Sequence, residues 1–216
     1  MKRLIIVCEG PTEKEFCNNL LSGFLMQRGI AIETPLVKHS GGGVVPWLIL
    51  RKQLVNHLME GTPFVTMFVD YYGIKDDFGF PSWEEAKGIA DREERMLMLE
   101  HAMQEDMPEE LRYRFIPHLQ LHEFESLLFS DLCGFERNFT DNEMKLEQLR
   151  DVVRQFPNPE DINNNPLTAP SKRLEKAIIG YKKVLYGNCV ALDIGLAKMI
   201  ASCPHFRGWI NRLTQI

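Results

Sequence analysis

A chain of 216 residues, 44% hydrophobic and 25% charged, has the length and apolar content to bury one sizeable core, so residues 1–216 are read as a single domain. Its formal net charge of −5 excludes a protein that holds nucleic acid by a broad basic surface, because that attraction needs clustered Lys and Arg; any such contact must be local, metal-assisted or supplied by a partner. The five cysteines, Cys8, Cys17, Cys133, Cys189 and Cys203, are odd in number and form no CxxC pair, which signals neither a disulfide framework nor a cysteine zinc site and suits a reducing cytosol. With no secretory pattern at the amino terminus and no apolar run near the roughly 20 residues of a membrane span, the expectation is a soluble cytoplasmic protein.

The chain opens on an apolar, β-branched run, Leu4 to Cys8, that ends abruptly on Glu9-Gly10-Pro11-Thr12-Glu13. Such a run predicts a central strand buried on both faces, and Gly10-Pro11 turns the chain into a helix carrying Phe16, Leu20, Leu21, Phe24 and Leu25, stopped by Gly29. Ile30 to Val37 predicts a second strand. His39 to Gly43 lacks the spacing and the Lys-Ser/Thr ending of a P-loop and predicts a loop without nucleotide hydrolysis, followed by a helix from Pro46 with Leu48, Val55 and Leu58 on one side. Phe64 to Val69 is the third predicted strand, stopped by Asp70.

A Gly- and Asp-rich loop follows from Tyr71 to Trp83, then a charged helical stretch from Glu84 to Glu105. Phe115 to Leu121 predicts a fourth strand, with Pro117 marking an edge or a bulge, and it ends in His122-Glu123-Phe124-Glu125. Helical periodicity then dominates: Met144 to Phe156, a Pro/Asn-rich loop from Pro157 to Pro170, and helices near Ser171 to Ile179, Ala191 to Ala201 and Pro204 to Leu213. The predicted architecture is α/β: a Rossmann-like sheet of about four mainly parallel strands in 1–131, with a helical carboxyl-terminal extension, 132–216, packed on it.

Three predicted strands therefore end on carboxylates: Glu9, Asp70, and Glu123 with Glu125. If the strands are parallel neighbours, these acids share the carboxyl edge of the sheet, where α/β folds bind ligands. Clustered carboxylates repel and raise one another's pKa unless a cation neutralises them, and an all-oxygen set suits Mg²⁺ or Mn²⁺. Mg²⁺ keeps waters and open positions for phosphate, which points to phosphoryl chemistry.

Each acid also has a plainer role. Glu9 and Glu13 complement a helix amino terminus, worth about 0.3–1 kcal/mol; Asp70 serves a turn before Gly73; Asp76 and Asp77 solvate a loop. Glu123 and Glu125 are first-turn helix acids whose two-residue spacing lets one of them face the site, Glu123 being nearer the strand end. His122, beside them, is a structural histidine or a proton shuttle. Pro170-Ser171-Lys172-Arg173 either caps a helix or offers a helix amino terminus and two cations, Lys172 and Arg173, to a substrate phosphate.

EGPTE at 9–13, VDYYGIKDDF at 69–78, LHEFESLLFSD at 121–131 and the segment from PEDINNNPLTAPSKR through CPHFRGW together resemble the TOPRIM-like proteins of the domain-of-unknown-function 4276 type. The resemblance implies a compact Rossmann-like sheet, a glutamate after the first strand as general acid or base, and an Asp-x-Asp pair on Mg²⁺ after a later strand. It further implies cleavage of nucleic-acid phosphodiesters, DNA or RNA, by a nuclease working with a separately encoded ATPase in anti-phage defence. Glu9 matches the first acid and Asp70 the first aspartate; Tyr72 stands where the second aspartate belongs, so Glu123, Glu125, Asp76 or Asp77 must complete any metal site.

Two functions follow as expectations. The first is a Mg²⁺- or Mn²⁺-dependent phosphodiesterase in which Asp70 holds the metal with Glu123 or Glu125, while Glu9 ligates or shuttles a proton. The second is a non-catalytic interaction subunit that keeps the fold and has lost its chemistry at Tyr72. Oligomeric state is not legible in the sequence.

Overall fold

In a computed structural model, which describes residues 1–38, 43–162, 165 and 167–216, the strands form one parallel arrangement. The strands are β1 (Lys2–Cys8), β2 (Ile30–Glu33), β3 (Phe64–Asp70), β4 (Phe115–Ile116) and β5 (Leu119–Gln120). The order is β2-β1-β3-β4, and β5 also pairs with β3. Registers such as Ile5↔Val65, Thr66↔Ile116 and Asp70↔Gln120 bring the carboxyl ends of β1, β3 and β5 to the same edge.

The sheet is buried on both faces, as the continuous apolar runs require. Leu4, Ile6, Cys8 and Phe68 face one core with Phe16, Phe124, Phe206 and Trp209. Alternating with them, Ile5, Val7, Val65, Met67 and Val69 face a second core with Trp47, Leu50, Leu54, Leu99 and Met103. The carboxyl-terminal helix Pro204–Thr214 thus packs on the first face, while the helices Trp47–Leu58 and Arg92–Glu105 cover the second. Trp209 locks its helix to the sheet, its indole N–H donating to Thr66 Oγ1 at 2.9 Å.

Several boundaries differ from the periodicity for local reasons. The second strand ends at Glu33, because Pro35 carries no N–H for a ladder, although Leu36 returns to bridge Cys8. Pro117 splits the fourth strand into β4 and β5, as its marking of a bulge implies. The charged stretch is two helices, Trp83–Lys87 and Arg92–Glu105; the second is capped by Asp91, whose carboxylate accepts from Glu94 N at 2.8 Å. Gly195, at φ +79°, divides the predicted 191–201 helix into Asn188–Ile194 and Leu196–Ser202. The expectation for His39 to Gly42 lies outside the described residues. Among the described residues no single helix is long and apolar enough to cross a membrane.

Candidate active site

At the end of β1 the chain bends through Gly10 into the helix Pro11–Phe16, and Glu9 stays at the sheet edge. Glu9 Oε2 accepts a hydrogen bond from Asp70 N at 2.9 Å, which ties the end of β1 to the end of β3. Asp70, 5% exposed, turns Oδ1 toward Phe124 N at 2.9 Å and so anchors the segment after β5. The wall beside Glu9 is close-packed at Gly73, where a Cβ would lie 2.7 Å from Val44 Cγ2 and force that side chain to shift.

The turn after β5 runs through His122 at φ +66°, a left-handed conformation that costs a non-glycine residue energy and marks a constrained site. It divides the two glutamates that follow. Glu125, fully buried in the 3₁₀ turn Phe124–Ser130, faces Glu9 and Asp70's edge, whereas Glu123 accepts from Ser171 N at 3.0 Å and from Ser171 Oγ at 3.1 Å. The structure therefore joins Glu9, Asp70 and Glu125, and uses Glu123 to cap the helix Pro170–Ala177.

That helix terminus, considered above for a phosphate, holds a carboxylate of the chain itself. Lys172 pairs with Glu175 at 2.7 Å, and Arg173 donates to Thr168 O at 2.7 Å while its guanidinium lies over Phe156. His122 meets Arg92, with Nε2 and Nη1 3.3 Å apart; burial, then Arg92 and Arg95, push its pKa down to about 4, so the ring is neutral at physiological pH. Asp76 is engaged at Trp83 Nε1, 2.8 Å, and Lys87, and Tyr72 N donates to His122 O at 3.1 Å.

Lys183 is the site residue that periodicity and resemblance both miss. It reaches the acids from the short π-helix Lys183–Gly187 in the carboxyl-terminal extension. Its Nζ lies 3.1 Å from Glu125 Oε2, 3.5 Å from Asp70 Oδ2 and 3.7 Å from Glu13 Oε1. Glu13 also reaches back over the helix start, its Oε2 accepting from Gly10 N at 3.0 Å. Burial alone would lower the Lys183 pKa, but Asp70, Glu125 and Glu13 outweigh it and hold the ammonium charged.

The acids carry the cost of this crowding. Burial raises the Glu9 pKa to about 7 against the favourable Asp70 N–H, and the Glu13 charge adds to the rise. Burial likewise raises Glu125 to about 7 despite Lys183, and Asp70 is pushed well above the usual aspartate range. A carboxylate poised near neutrality is suited to hold and release a proton.

A raised folded-state pKa means stability that is present at low pH and is lost as the group ionises, here between about pH 4.5 and 7 for Glu9. Metal-free Glu9→Gln, which keeps an oxygen for Asp70 N, should exceed the wild type in stability by about 1–3 kcal/mol near pH 8 and match it near pH 4. Denaturant melts at the two pH values check this; an equal difference at both would exclude titration of Glu9 as its origin.

No curated protein and no solved structure matches the chain. A family description does match, Domain of unknown function (DUF4276), over residues 8–214, which spans β3, β5, every acid of the edge and Lys183. The chain that builds this acid-and-lysine edge belongs to the DUF4276 family.

Proposed function

We propose that the protein is a Mg²⁺- or Mn²⁺-dependent TOPRIM-like phosphodiesterase acting on nucleic acid. The observation that carries this reading is the meeting of Glu9, Asp70 and Glu125 at the carboxyl edge of a parallel sheet. The donor set fits a hard cation. Apart from the Lys183 ion pair, neither oxygen of buried Glu125 has a hydrogen-bond partner, and the cluster is all oxygen. Asp70 and Glu125 would hold the metal, with Glu9 beside them.

A bound metal would polarise the phosphoryl oxygen and lower the pKa of a coordinated water. The chain's own groups supply the rest. Glu9, titrating near neutrality, accepts or returns the proton of the attacking water. Asp70 is oriented by Phe124 N and in turn positions Glu9 through its own backbone N–H. Lys183, 38% exposed at the rim, can turn its ammonium to a substrate phosphate. We further propose, from the resemblance, that the enzyme works with a separately encoded ATPase in anti-phage defence.

Two observations favour the second reading, an interaction subunit without chemistry. Tyr72 leaves the edge short of an aspartate, and Lys183 already neutralises part of the cluster. Calorimetric titration of Mn²⁺ into wild type and Glu125→Gln separates the two. Saturable binding that is lost in the variant supports the phosphodiesterase; a wild type that binds no Mn²⁺, with or without nucleic acid, supports the interaction subunit.

A further inference from the structure

A second polar cluster lies away from the acidic edge, between the helix Arg92–Glu105, the β4–β5 connection and the helix Pro204–Thr214. It consists of Glu100, His118 and His205, which are 1%, 0% and 3% exposed. Glu100 Oε1 lies 3.0 Å from His205 Nε2 and 3.5 Å from His118 Nδ1, and one donor atom from each residue falls within 4.8 Å of the others. Around an ion with bonds of about 2.0–2.1 Å, tetrahedral ligand atoms sit about 3.3 Å apart, and the two separations from Glu100 Oε1 fall around that value.

The cluster is incompletely satisfied by the protein. Neither ring nitrogen of His118 has a hydrogen-bond partner, although the ring is wholly buried and stacked on Trp209 with centroids 4.4 Å apart. Burial without a close partner is unfavourable for such a group, because it gives up its hydrogen bonds to water, and the nearest acceptor, Glu100 Oε1, is 3.5 Å from Nδ1. His205 Nε2 lies between Glu100 Oε1 and Leu119 O, at 3.0 and 3.1 Å, where one ring proton serves only one acceptor well.

The surroundings are those of a metal's outer shell. Arg212 Nη2 holds Glu100 Oε2 at 2.7 Å, and Leu119 N donates to Oε1 at 3.0 Å, fixing the carboxylate. Glu160, 1% exposed, accepts from His205 N and Phe206 N at 2.9 Å each and adds a second buried carboxylate against a cation. His205 alone of the three also lines a polar cleft of about 400 Å³, with Glu160, Asp91, Arg92 and Asp161, so the cluster lies behind the wall of that cleft.

We propose that Glu100, His118 and His205 form a zinc site of three protein ligands, distinct from the acidic edge, that ties the carboxyl-terminal helix to the β4–β5 connection and the helix Arg92–Glu105. Two imidazoles and one carboxylate select zinc or a neighbouring transition metal over Mg²⁺. Zinc that binds the folded, metal-stripped protein is expected to raise its melting temperature with zinc concentration.

The test is zinc titration of metal-stripped wild type, His118→Phe and Asp70→Asn, together with X-ray absorption on the zinc-loaded wild type. One zinc equivalent in wild type and Asp70→Asn, lost in His118→Phe, with two imidazole scatterers in the absorption spectrum, is the expected result. Absence of binding, retention of that equivalent in His118→Phe, or a spectrum with oxygen ligands alone overturns the proposal. Should His118→Phe fail to fold, the wild-type spectrum decides, because imidazole scattering distinguishes this cluster from the carboxylate edge.

Discussion

Asp70→Asn is expected to leave the protein folded, to abolish saturable Mn²⁺ binding and to reduce nucleic-acid cleavage by about 10²–10³-fold, which is about 3–4 kcal/mol of transition-state stabilisation. The substitution is nearly isosteric. Asn keeps an oxygen for Phe124 N, and the residue-70 backbone N–H still holds Glu9 Oε2, so the turn and the first acid remain in position. What changes is the second oxygen, which faces Lys183 at 3.5 Å and becomes an amide NH₂, a donor that can neither ligate a cation nor pair with the ammonium. The checks are calorimetry with Mn²⁺, a cleavage assay on DNA and RNA, and circular dichroism to establish the fold. Wild-type metal binding and cleavage in Asp70→Asn would remove the acidic edge from the mechanism. If the protein is an interaction subunit instead, Asp70→Asn captures its ATPase partner as wild type does and neither form cleaves.

The parts of this edge that the sequence makes legible are those written in short, local patterns. A continuous β-branched run ending on Glu9, and a second ending on Asp70, suffice to place both acids at strand ends, and Pro117 marks where the last strand breaks. The division between Glu123 and Glu125 is legible only in part. Spacing says that one of them faces the site, but the left-handed turn at His122 and the serine that claims Glu123 decide which, and both depend on tertiary contacts. Lys183 is silent in the sequence. It stands 170 residues beyond Glu13, in a stretch without helical periodicity, and its role comes from docking of the extension on the sheet. Glu100, His118 and His205 are silent for the same reason. Glu100 sits in a strongly charged helix whose pattern gives no sign that this one acid points inward.

Lys183→Met should destabilise the metal-free protein by about 2–3 kcal/mol near pH 8, because it removes the cation that three carboxylates share. The figure is set below the about 3–5 kcal/mol of a fully buried pair, since 38% of the lysine side chain reaches solvent and is screened. Methionine retains most of the apolar stem, so lost packing contributes little. The groups facing Lys183 are Asp70, Glu125 and Glu13, with Glu9 bonded to Asp70's backbone, and Glu9 and Glu125 titrate at about 7. These raised values mean that the acids are ionised and repelling above pH 7 and increasingly neutral below it. The deficit of Lys183→Met therefore grows as pH rises and shrinks toward about pH 5. A deficit of equal size at both ends would identify packing, not charge, as the lysine's contribution. Mn²⁺ then distinguishes the two functional readings in a single experiment. If the carboxylates form a metal site, Mn²⁺ at a hundred times its Kd restores about 2.7 kcal/mol to the variant near pH 8. If Mn²⁺ restores nothing, the acids and Lys183 are a closed internal ion network, and the edge serves the fold and a partner surface, not hydrolysis.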